Sequence, residues 1–235
     1  MEGARALREV MKTDYPVETL YYSPGIRDKH DMILVEFLCK KADNTFFVSD
    51  EIMEYISPAS SPQKMMAILP QNSWNPDEVI EKGNYFIAIN LVRDPGNLGT
   101  IIRSARAFGC AGVILVGECV AWYSPKVVRA TAGYILEMPF VSFKDENTFL
   151  DAMDIYNIKK FLFTTDSENL MNDVKLFEKD KKTVYIFGGE TEGYGDILEE
   201  KCNEKIRIPM ANRVDSLNLG VSASIVLYNA YTESF

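Results

Sequence analysis

A glycine-rich turn is the first segment whose residues could do chemistry. It reads TVYIFGGETEGYGDI and follows an apolar run directly, so its backbone could approach a ligand closely. Glu190 within it could hydrogen-bond a hydroxyl or a cation. The segment carries no G-K-[ST] of a P-loop and does not fit G-x-G-x-x-G cleanly. Read locally, it is either a ligand-binding turn or a solvated loop with an acid in it.

A second junction, LVRDPGNLGTIIRSARAFGC, predicts a strand, a turn at Pro95 and a helix. Asn97 is placed to cap the helix and Gly109 is placed to end it. The apolar periodicity leaves Arg103 and Arg106 on other faces of the helix. On this segment alone they could equally be ordinary surface arginines on a capped helix.

The third junction, IRIPMANRVDSLNLGVSASIVLYNA, predicts a terminal helix with Ser216 as its N-cap. Small residues crowd the helix interior, namely Gly220, Ser222, Ala223 and Ser224. Glycine and serine lower helix propensity, so close packing against another backbone would compensate for them. A loosely packed amphipathic helix is the alternative.

Composition limits the possible functions of the 235-residue chain. Its single histidine is His30, so a histidine base, a histidine-held metal or a Ser-His-Asp triad would have to use that one residue, which argues against all three. The four cysteines form no C-x-x-C pair, which predicts free thiols in a reducing cytoplasm. No apolar run is long enough to span a membrane, and we expect no signal peptide. The net charge of −9 argues against a broadly basic, nucleic-acid-binding surface, although it does not exclude a local patch.

The order of predicted elements indicates an α/β protein with two domains. Residues 1–70 predict a small α/β unit, residues 71–83 a polar linker, and residues 84–235 a larger domain. In the larger domain, the apolar runs YFIAINL, GVILV, FLFTT and TVYIF alternate with helical patterns, and KIRIPM follows as a last strand. Such runs are typical of a parallel sheet covered on both faces. A ligand is then expected at the carboxyl ends of the strands.

The three junctions together resemble the SpoU (TrmH-like) family of RNA 2′-O-methyltransferases, within the SPOUT superfamily. The first family motif matches NLGTIIR with Asn97, Gly99 and Arg103. The second, G-x-E-x-x-G, matches residues 188–193, and the third matches I-P-M at 208–210 and S-L-N at 216–218. SPKVVRATAG also looks like the family's K-V-V-R-A-S-x-G segment. Residues 2–69 resemble the family's substrate-binding domain of ribosomal-protein-L30e type.

The sequence departs from the family pattern in two places. Tyr194 and Gly195 stand where the family usually has Leu-Ser or Leu-Pro, which could alter the wall of the adenosine pocket. The match also begins abruptly at Glu2, where related proteins carry a basic upstream segment.

The resemblance implies an SPOUT-type parallel sheet with a deep carboxyl-terminal trefoil knot, in a homodimer. It implies S-adenosylmethionine as methyl donor and no metal. The implied cofactor-binding residues are Gly188, Ile208, Met210, Ser216 and Leu217. Backbone contact suits several of these residues, since their side chains are apolar or absent.

The resemblance also assigns roles in catalysis and RNA binding. Arg103 would act on the ribose 2′-hydroxyl, with Asn97, Glu190 and Asn218 holding the site around it. Because a guanidinium normally stays protonated, a base role and an electrostatic positioning role both remain open.

A local basic patch for RNA phosphate would comprise Arg93, Arg106, Lys126 and Arg129, unless these are scattered surface charges. The L30e-like domain favours ribosomal RNA over transfer RNA as the partner.

Two other functions fit parts of the sequence. A Rossmann-type dehydrogenase would use the glycine cluster for a dinucleotide, but it requires G-x-G-x-x-G near the start of the sheet, and the cluster here comes late. A resistance-type or RNA-binding module without methyl transfer is the non-enzymatic alternative. The presence of Asn97, Arg103, Glu190 and Asn218 argues against that module without excluding it.

Overall fold

The computed structural model describes residues 1–189, 193–211 and 214–235, and these residues form two compact units. One unit comprises Met1–Asn72 with Tyr123–Leu136, and the other comprises Ser73–Trp122 with Glu137–Phe235. The first unit thus takes in a segment that lies inside the range 84–235 along the sequence. None of the helices in the described ranges is both long and apolar enough to cross a membrane.

The first unit is a three-stranded mixed sheet with helices. Its elements are α1 Ala4–Val10, β1 Val17–Tyr22, α2 Lys29–Lys41, β2 Ala42–Phe47, α3 Asp50–Ile56, β3 Met65–Ile68 and, from the later segment, α6 Pro125–Ala130. β1 lies in the centre, parallel to β2 and antiparallel to β3. One face of the sheet is apolar and closed, with Leu20 and Ala67 buried completely, and helices α1 and α2 contact its strands.

Strand β2 begins earlier in the chain than its sequence indicates. The β-branched and aromatic letters FFVS predict a strand at residues 46–49, whereas the strand runs over Ala42–Phe47. Asp43 and Asn44 have low strand propensity. Parallel pairing to β1, which sets Val17 opposite Ala42, overrides that local preference.

The second unit is a six-stranded, wholly parallel sheet with helices. Its elements are α4 Pro76–Ile80, β4 Tyr85–Asn90, α5 Pro95–Ala107, β5 Val113–Val116, β6 Phe140–Phe143, α7 Glu146–Ile155, β7 Lys159–Phe163, β8 Thr183–Phe187, α8 Asp196–Lys201, β9 Glu204–Ile206 and α9 Leu219–Glu233. The strand order is β6-β5-β4-β8-β7-β9. Every residue of β4, β5 and β8 is buried, which confirms the predicted parallel sheet. The short strand β6 was not predicted.

The segment expected to be a linker contains helix α4. The Asn75 side chain accepts a hydrogen bond from the Glu78 amide at 2.9 Å, and Glu78 accepts one from the Asn75 amide at 3.1 Å. This reciprocal capping box starts a helix whose Val79 and Ile80 are buried in the core of the second unit. The sequence N-P-D-E at residues 75–78, which we expected in a linker, therefore begins a helix.

Candidate functional site

Helix α5 begins directly after the central strand β4 and is capped by Asp94. The Asp94 side chain accepts a hydrogen bond from the backbone amide of Asn97 at 2.7 Å, and Pro95 occupies the first helical position. The prediction that Asn97 caps this helix is therefore wrong, because the cap lies three residues earlier. Gly109 follows the helix end with a φ of 68°, as predicted for a terminating glycine.

The Asn97 side chain is instead directed toward the carboxyl-terminal part of the chain. It is 7% exposed, and its Oδ1 accepts a hydrogen bond from Nδ2 of Asn218 at 2.8 Å. Asn218 also caps α9, since its Oδ1 accepts from the Val221 amide at 3.2 Å. Asn218 therefore takes the capping role that was predicted for Ser216. One amide side chain starts α9 and joins it to the first turn of α5.

Helices α5 and α9 pack closely along their length. A β-carbon added at Gly220 would lie 3.0 Å from the Thr100 side chain, and the hydroxyls of Ser104 and Ser224 are 2.6 Å apart. Ala223 is completely buried. The small-residue face of α9 thus packs closely, as expected, and it packs on the side chains of Thr100 and Ser104 of α5 in the same chain.

The glycine-rich turn after β8 passes against the β4–α5 junction. A β-carbon at Gly189 would lie 2.7 Å from the carbonyl oxygen of Leu91, a residue whose own φ is 56°. Gly189 and Gly193 exchange backbone hydrogen bonds of 2.8 and 3.0 Å, which close the turn. Glu190, predicted to take part in catalysis, lies outside the described residues.

A cavity of about 620 Å³ opens at the carboxyl ends of β7 and β8. Its wall includes Phe163 and Phe187 at the strand ends, Gly188 and Gly189 of the turn, and residues 216–219 at the start of α9. An adjoining lobe of about 80 Å³ adds the residues after β9. The five residues predicted to bind a cofactor, Gly188, Ile208, Met210, Ser216 and Leu217, all line this cavity or its lobe.

Gly188 leaves no room for a side chain because of the turn itself. A β-carbon there would lie 2.6 Å from the backbone of Gly193 and 2.8 Å from the ring of Tyr194. Any larger residue would displace the turn as well as fill the cavity. Substitution of Gly188 would therefore change the local fold along with any binding.

Arg207 is a residue of this site that the sequence analysis did not single out. It follows β9 and lines the smaller lobe, and its Nε is buried without a hydrogen-bond partner. Its guanidinium forms no ion pair with a described residue. A buried N–H without an acceptor is costly, so an anionic group in the lobe would be stabilised there. Only its position directly before the I-P-M segment could have indicated it.

Tyr194 links the glycine turn to two other elements. Its hydroxyl lies 2.6 Å from Oγ1 of Thr164 and 3.1 Å from Oε1 of Glu199. Burial raises the pKa of Tyr194 above its ordinary value, so the phenol stays protonated at neutral pH and can donate to the carboxylate. At Gly195, the backbone amide donates to Glu146 at 2.8 Å. The Tyr-Gly pair thus forms part of the site's supporting structure.

Arg103 lies in the middle of α5 and is exposed, and it does not line the cavity. Within the part of the chain that is described, no carboxylate pairs with it. Met210 and Ser216 line the cavity or its lobe, whereas Arg103 lies on α5, the helix that packs against α9. The structure therefore brings the predicted cofactor residues together and leaves Arg103 available from solvent.

The four cations predicted to contact RNA are divided between the units and mostly paired. In the second unit, Arg106 donates through Nε and Nη2 to Glu137 at 3.0 and 2.7 Å, and Arg93 lies 3.9 Å from Glu118. In the first unit, Arg129 lies 3.6 Å from Glu2, and Lys126 has no ion pair with any described residue. Their action as one patch stays a prediction.

Comparison with protein-family models gives two matches. The model of the SpoU rRNA methylase family matches residues 84–228, and that of the MRM3-like substrate binding domain matches residues 1–67. Together they cover both the cavity and the small mixed sheet.

Similar proteins extend over nearly the whole chain. The 23S rRNA (uridine(2479)-2′-O)-methyltransferase of Streptomyces viridochromogenes is 25% identical over 231 residues, which span 97% of this chain and 80% of the relative. The crystal structure of an AdoMet-bound rRNA methyltransferase from Sinorhizobium meliloti has a TM-score of 0.84 and 27% identity, covering 100% of this chain and 87% of the other. The crystal structure of an RNA 2′-O ribose methyltransferase has a TM-score of 0.78 and 25% identity, covering 99% and 87%.

The double role of Asn218 can be separated by substitution. Asn218→Ser keeps a capping oxygen but is too short to reach Asn97, so the free energy of unfolding should fall by about 1 kcal/mol for the hydrogen bond lost. Asn218→Ala should lose about 1 kcal/mol more, because the cap is also removed. Urea unfolding measures both. Ser216→Ala is the control, and a loss equal to that of Asn218→Ala would contradict the assignment of the cap.

Proposed function

The chain belongs to the SpoU rRNA methylase family of RNA 2′-O-ribose methyltransferases, and from that membership we propose that it methylates ribosomal RNA with S-adenosylmethionine held in the cavity beside β7 and β8. The observation that carries the proposal is the convergence of three loops on one cavity at the carboxyl ends of parallel strands.

The residues of the cavity suit S-adenosylmethionine in size and chemistry. A volume of about 620 Å³ lies within the range of small-molecule sites. The glycine turn and Leu217 present backbone groups to an adenosine. Arg207, with its unpaired Nε, is placed to hold a carboxylate such as that of the methionine part.

The bound sulfonium would supply an electrophilic methyl group, and the protein's residues would orient the ribose hydroxyl toward it. A hydroxyl is a poor nucleophile, so it must be held in line and relieved of its proton. Arg103 is exposed on α5, the helix that packs against α9. Asn97 and Asn218 hold the two helices in register, so they position Arg103 relative to the cavity. Arg103 as base and Arg103 as electrostatic positioner are both compatible with this arrangement.

Ribosomal RNA is the substrate we propose. A relative that is similar over 97% of this chain is named for a uridine of 23S rRNA, and the match extends through residues 1–67 to a substrate-binding domain. Transfer RNA is the alternative, since other relatives are named for both RNAs. Methyl incorporation into purified ribosomal and transfer RNA, from cells that lack the gene, distinguishes them. Incorporation into transfer RNA alone would overturn the ribosomal assignment.

We also propose the trefoil knot of the family. After β9 at the edge of the sheet, Arg207, Ile208, Met210 and residues 216–218 lie at the carboxyl ends of β7 and β8, and α9 then packs on α5. A chain that crosses its own sheet in this way is compatible with threading through an earlier loop.

A C2 homodimer is the assembly we propose, supported by the outer face of α9. The inner face of this helix is occupied by α5, whereas Val221 and Tyr228 of α9 and Phe235 after it are 45%, 53% and 90% exposed, with one edge of Tyr228 against Phe108. Such a stripe of apolar side chains would be buried by a second copy. Light scattering at micromolar concentration should give twice the chain mass, and Tyr228→Glu should give the monomer. A wild-type monomer with full activity would contradict the dimer.

Arg207→Met should weaken S-adenosylmethionine binding by about ten- to a hundredfold, as for a lost hydrogen bond to a charged group. Affinity for 5′-methylthioadenosine, which lacks the carboxylate, should not change. Calorimetric titration measures both ligands, and Arg27→Met on the first unit is the control. Equal weakening for the two ligands would show that Arg207 supports the cavity's shape only.

Arg103→Ala should lower kcat by about a hundredfold or more, as expected for a positioned acid–base group. Affinity for S-adenosylmethionine should stay within a few-fold, since Arg103 does not line the cavity. Arg103→Lys keeps the charge but loses the planar fork, so it separates charge from geometry. Single-turnover rates with saturating RNA are the measurement. A near wild-type rate for the alanine variant would make Arg103 a surface residue.

A further inference from the structure

A row of three side chains crosses the first unit's sheet on the face opposite Leu20 and Ala67. Pairing sets Tyr21 of β1 directly opposite Phe46 of β2 and Met66 of β3. The rings of Tyr21 and Phe46 are stacked, with centroids 5.4 Å apart and planes inclined by 18°. Phe46 lies on the edge strand and is 48% exposed, and Tyr21 and Met66 are partly exposed. We call these three residues the aromatic row.

The aromatic row continues into a groove beside α6. Met66 and its neighbour Ile68 line a cavity of about 220 Å³ together with Tyr123, Pro125 and Arg129. Tyr123 is 55% exposed, so the groove adds a third ring to the surface.

Two charged side chains line the groove, Arg129 and Glu2, which lie 3.6 Å apart, and α6 adds the exposed cation Lys126 beside them. The segment Tyr123–Leu136 contains Lys126 and Arg129 and has no aspartate or glutamate in its sequence. Lys126 is exposed, and no described carboxylate pairs with it. In a chain of net charge −9, this arrangement favours an anionic partner.

We propose that the aromatic row binds bases of a single-stranded stretch of the RNA substrate by stacking, with Lys126 on the adjoining phosphates. The proposal deepens the proposed function and rests on it. Aromatic rings on an open sheet face accept any base through its π-face, and nearby cations follow the backbone. Three strands about 4.8 Å apart give a row roughly 10 Å wide, which is room for about two bases.

Binding of a fluorescein-labelled, eight-nucleotide oligouridylate tests the aromatic row, measured by anisotropy at low salt. Phe46→Ala should raise Kd by about ten- to a hundredfold, as for one lost stacking contact. Phe46→Leu keeps most of the apolar volume and should also weaken binding, because the loss is of the ring. Tyr55→Ala removes an aromatic side chain that is 91% exposed on α3 and should leave Kd unchanged.

Lys126→Ala should reduce the salt dependence of oligonucleotide binding by about 0.7 in the logarithmic slope, the value for one phosphate contact on a single strand. In methylation assays, Phe46→Ala should raise KM for RNA and leave kcat and the affinity for S-adenosylmethionine unchanged. A structural role alone would instead lower the melting temperature and leave KM for RNA as it was.

The outcomes separate this proposal from the function on which it rests. The aromatic row is overturned if Phe46→Ala binds the oligonucleotide as Tyr55→Ala does, or if the wild type does not bind it. Methyl transfer to RNA can persist in either case. A change from dimer to monomer in Phe46→Ala, without a change in Kd, assigns the face to a second copy and also overturns it. Absence of methyl transfer by the wild type overturns the function, whatever the oligonucleotide shows.

Discussion

The hydrogen bond between the side-chain amides of Asn97 and Asn218 joins two loops that are 121 residues apart in the chain. Asn97 sits in the first turn of α5, after the central strand, and Asn218 starts α9, the last helix. Because both groups are amides, each can donate and accept, and Asn218 uses both capacities at once. The position of the last helix, and with it the cavity wall at residues 216–219, depends on this contact.

The glycines and small residues follow from the same constraint. For α9 to lie against α5, Gly220 must carry no side chain toward Thr100. For the turn after β8 to pass the start of α5, Gly189 must carry none toward Leu91. These close contacts bring the glycine turn and the start of α9 to one cavity, whose wall also carries the side chains of Thr164, Asp166 and Asn218.

An acidic RNA enzyme must confine its positive charge to particular places. Arg106 and Arg129 already have carboxylate partners within their own units, so their positive charge is partly neutralised and attracts RNA phosphate less strongly. Stacking on exposed rings needs no net charge, and it would let a chain of charge −9 hold RNA with few free cations. Lys126 and Arg103, which pair with no carboxylate in the described ranges, would then be the cations open to RNA.

Sequence patterns predicted the parts of this structure that depend on burial. Strands β4, β5 and β8 are covered on both faces, so they appear as continuous apolar runs. The caps were misplaced by two or three residues, since any Ser, Asn or Asp near a helix start can cap it and only tertiary contacts decide which one does. The Asn97 side chain is hydrogen-bonded to Asn218, and Asp94 caps α5 instead.

Other features have little local signal in the sequence. The four-residue β6 gains its order from pairing with β5, and α4 was mistaken for a linker because its capping residues are also turn formers. Nothing in the local sequence distinguishes Arg207 from the other arginines, because its place in the cavity lobe depends on where β9 lies in the sheet. The five residues expected to bind the cofactor were assigned only through the resemblance of their motifs to a family.

The chemical position of the methyl group tests the central claim most directly. The protein would be incubated with ribosomal RNA and S-adenosylmethionine labelled in its methyl group, and the RNA would then be hydrolysed with alkali. A methylated 2′-hydroxyl cannot attack the neighbouring phosphate, so the label is predicted to remain in alkali-resistant dinucleotides, and to be lost with Arg103→Ala. Label recovered in mononucleotides would place the methyl group on a base and contradict the account, as would the absence of label from RNA.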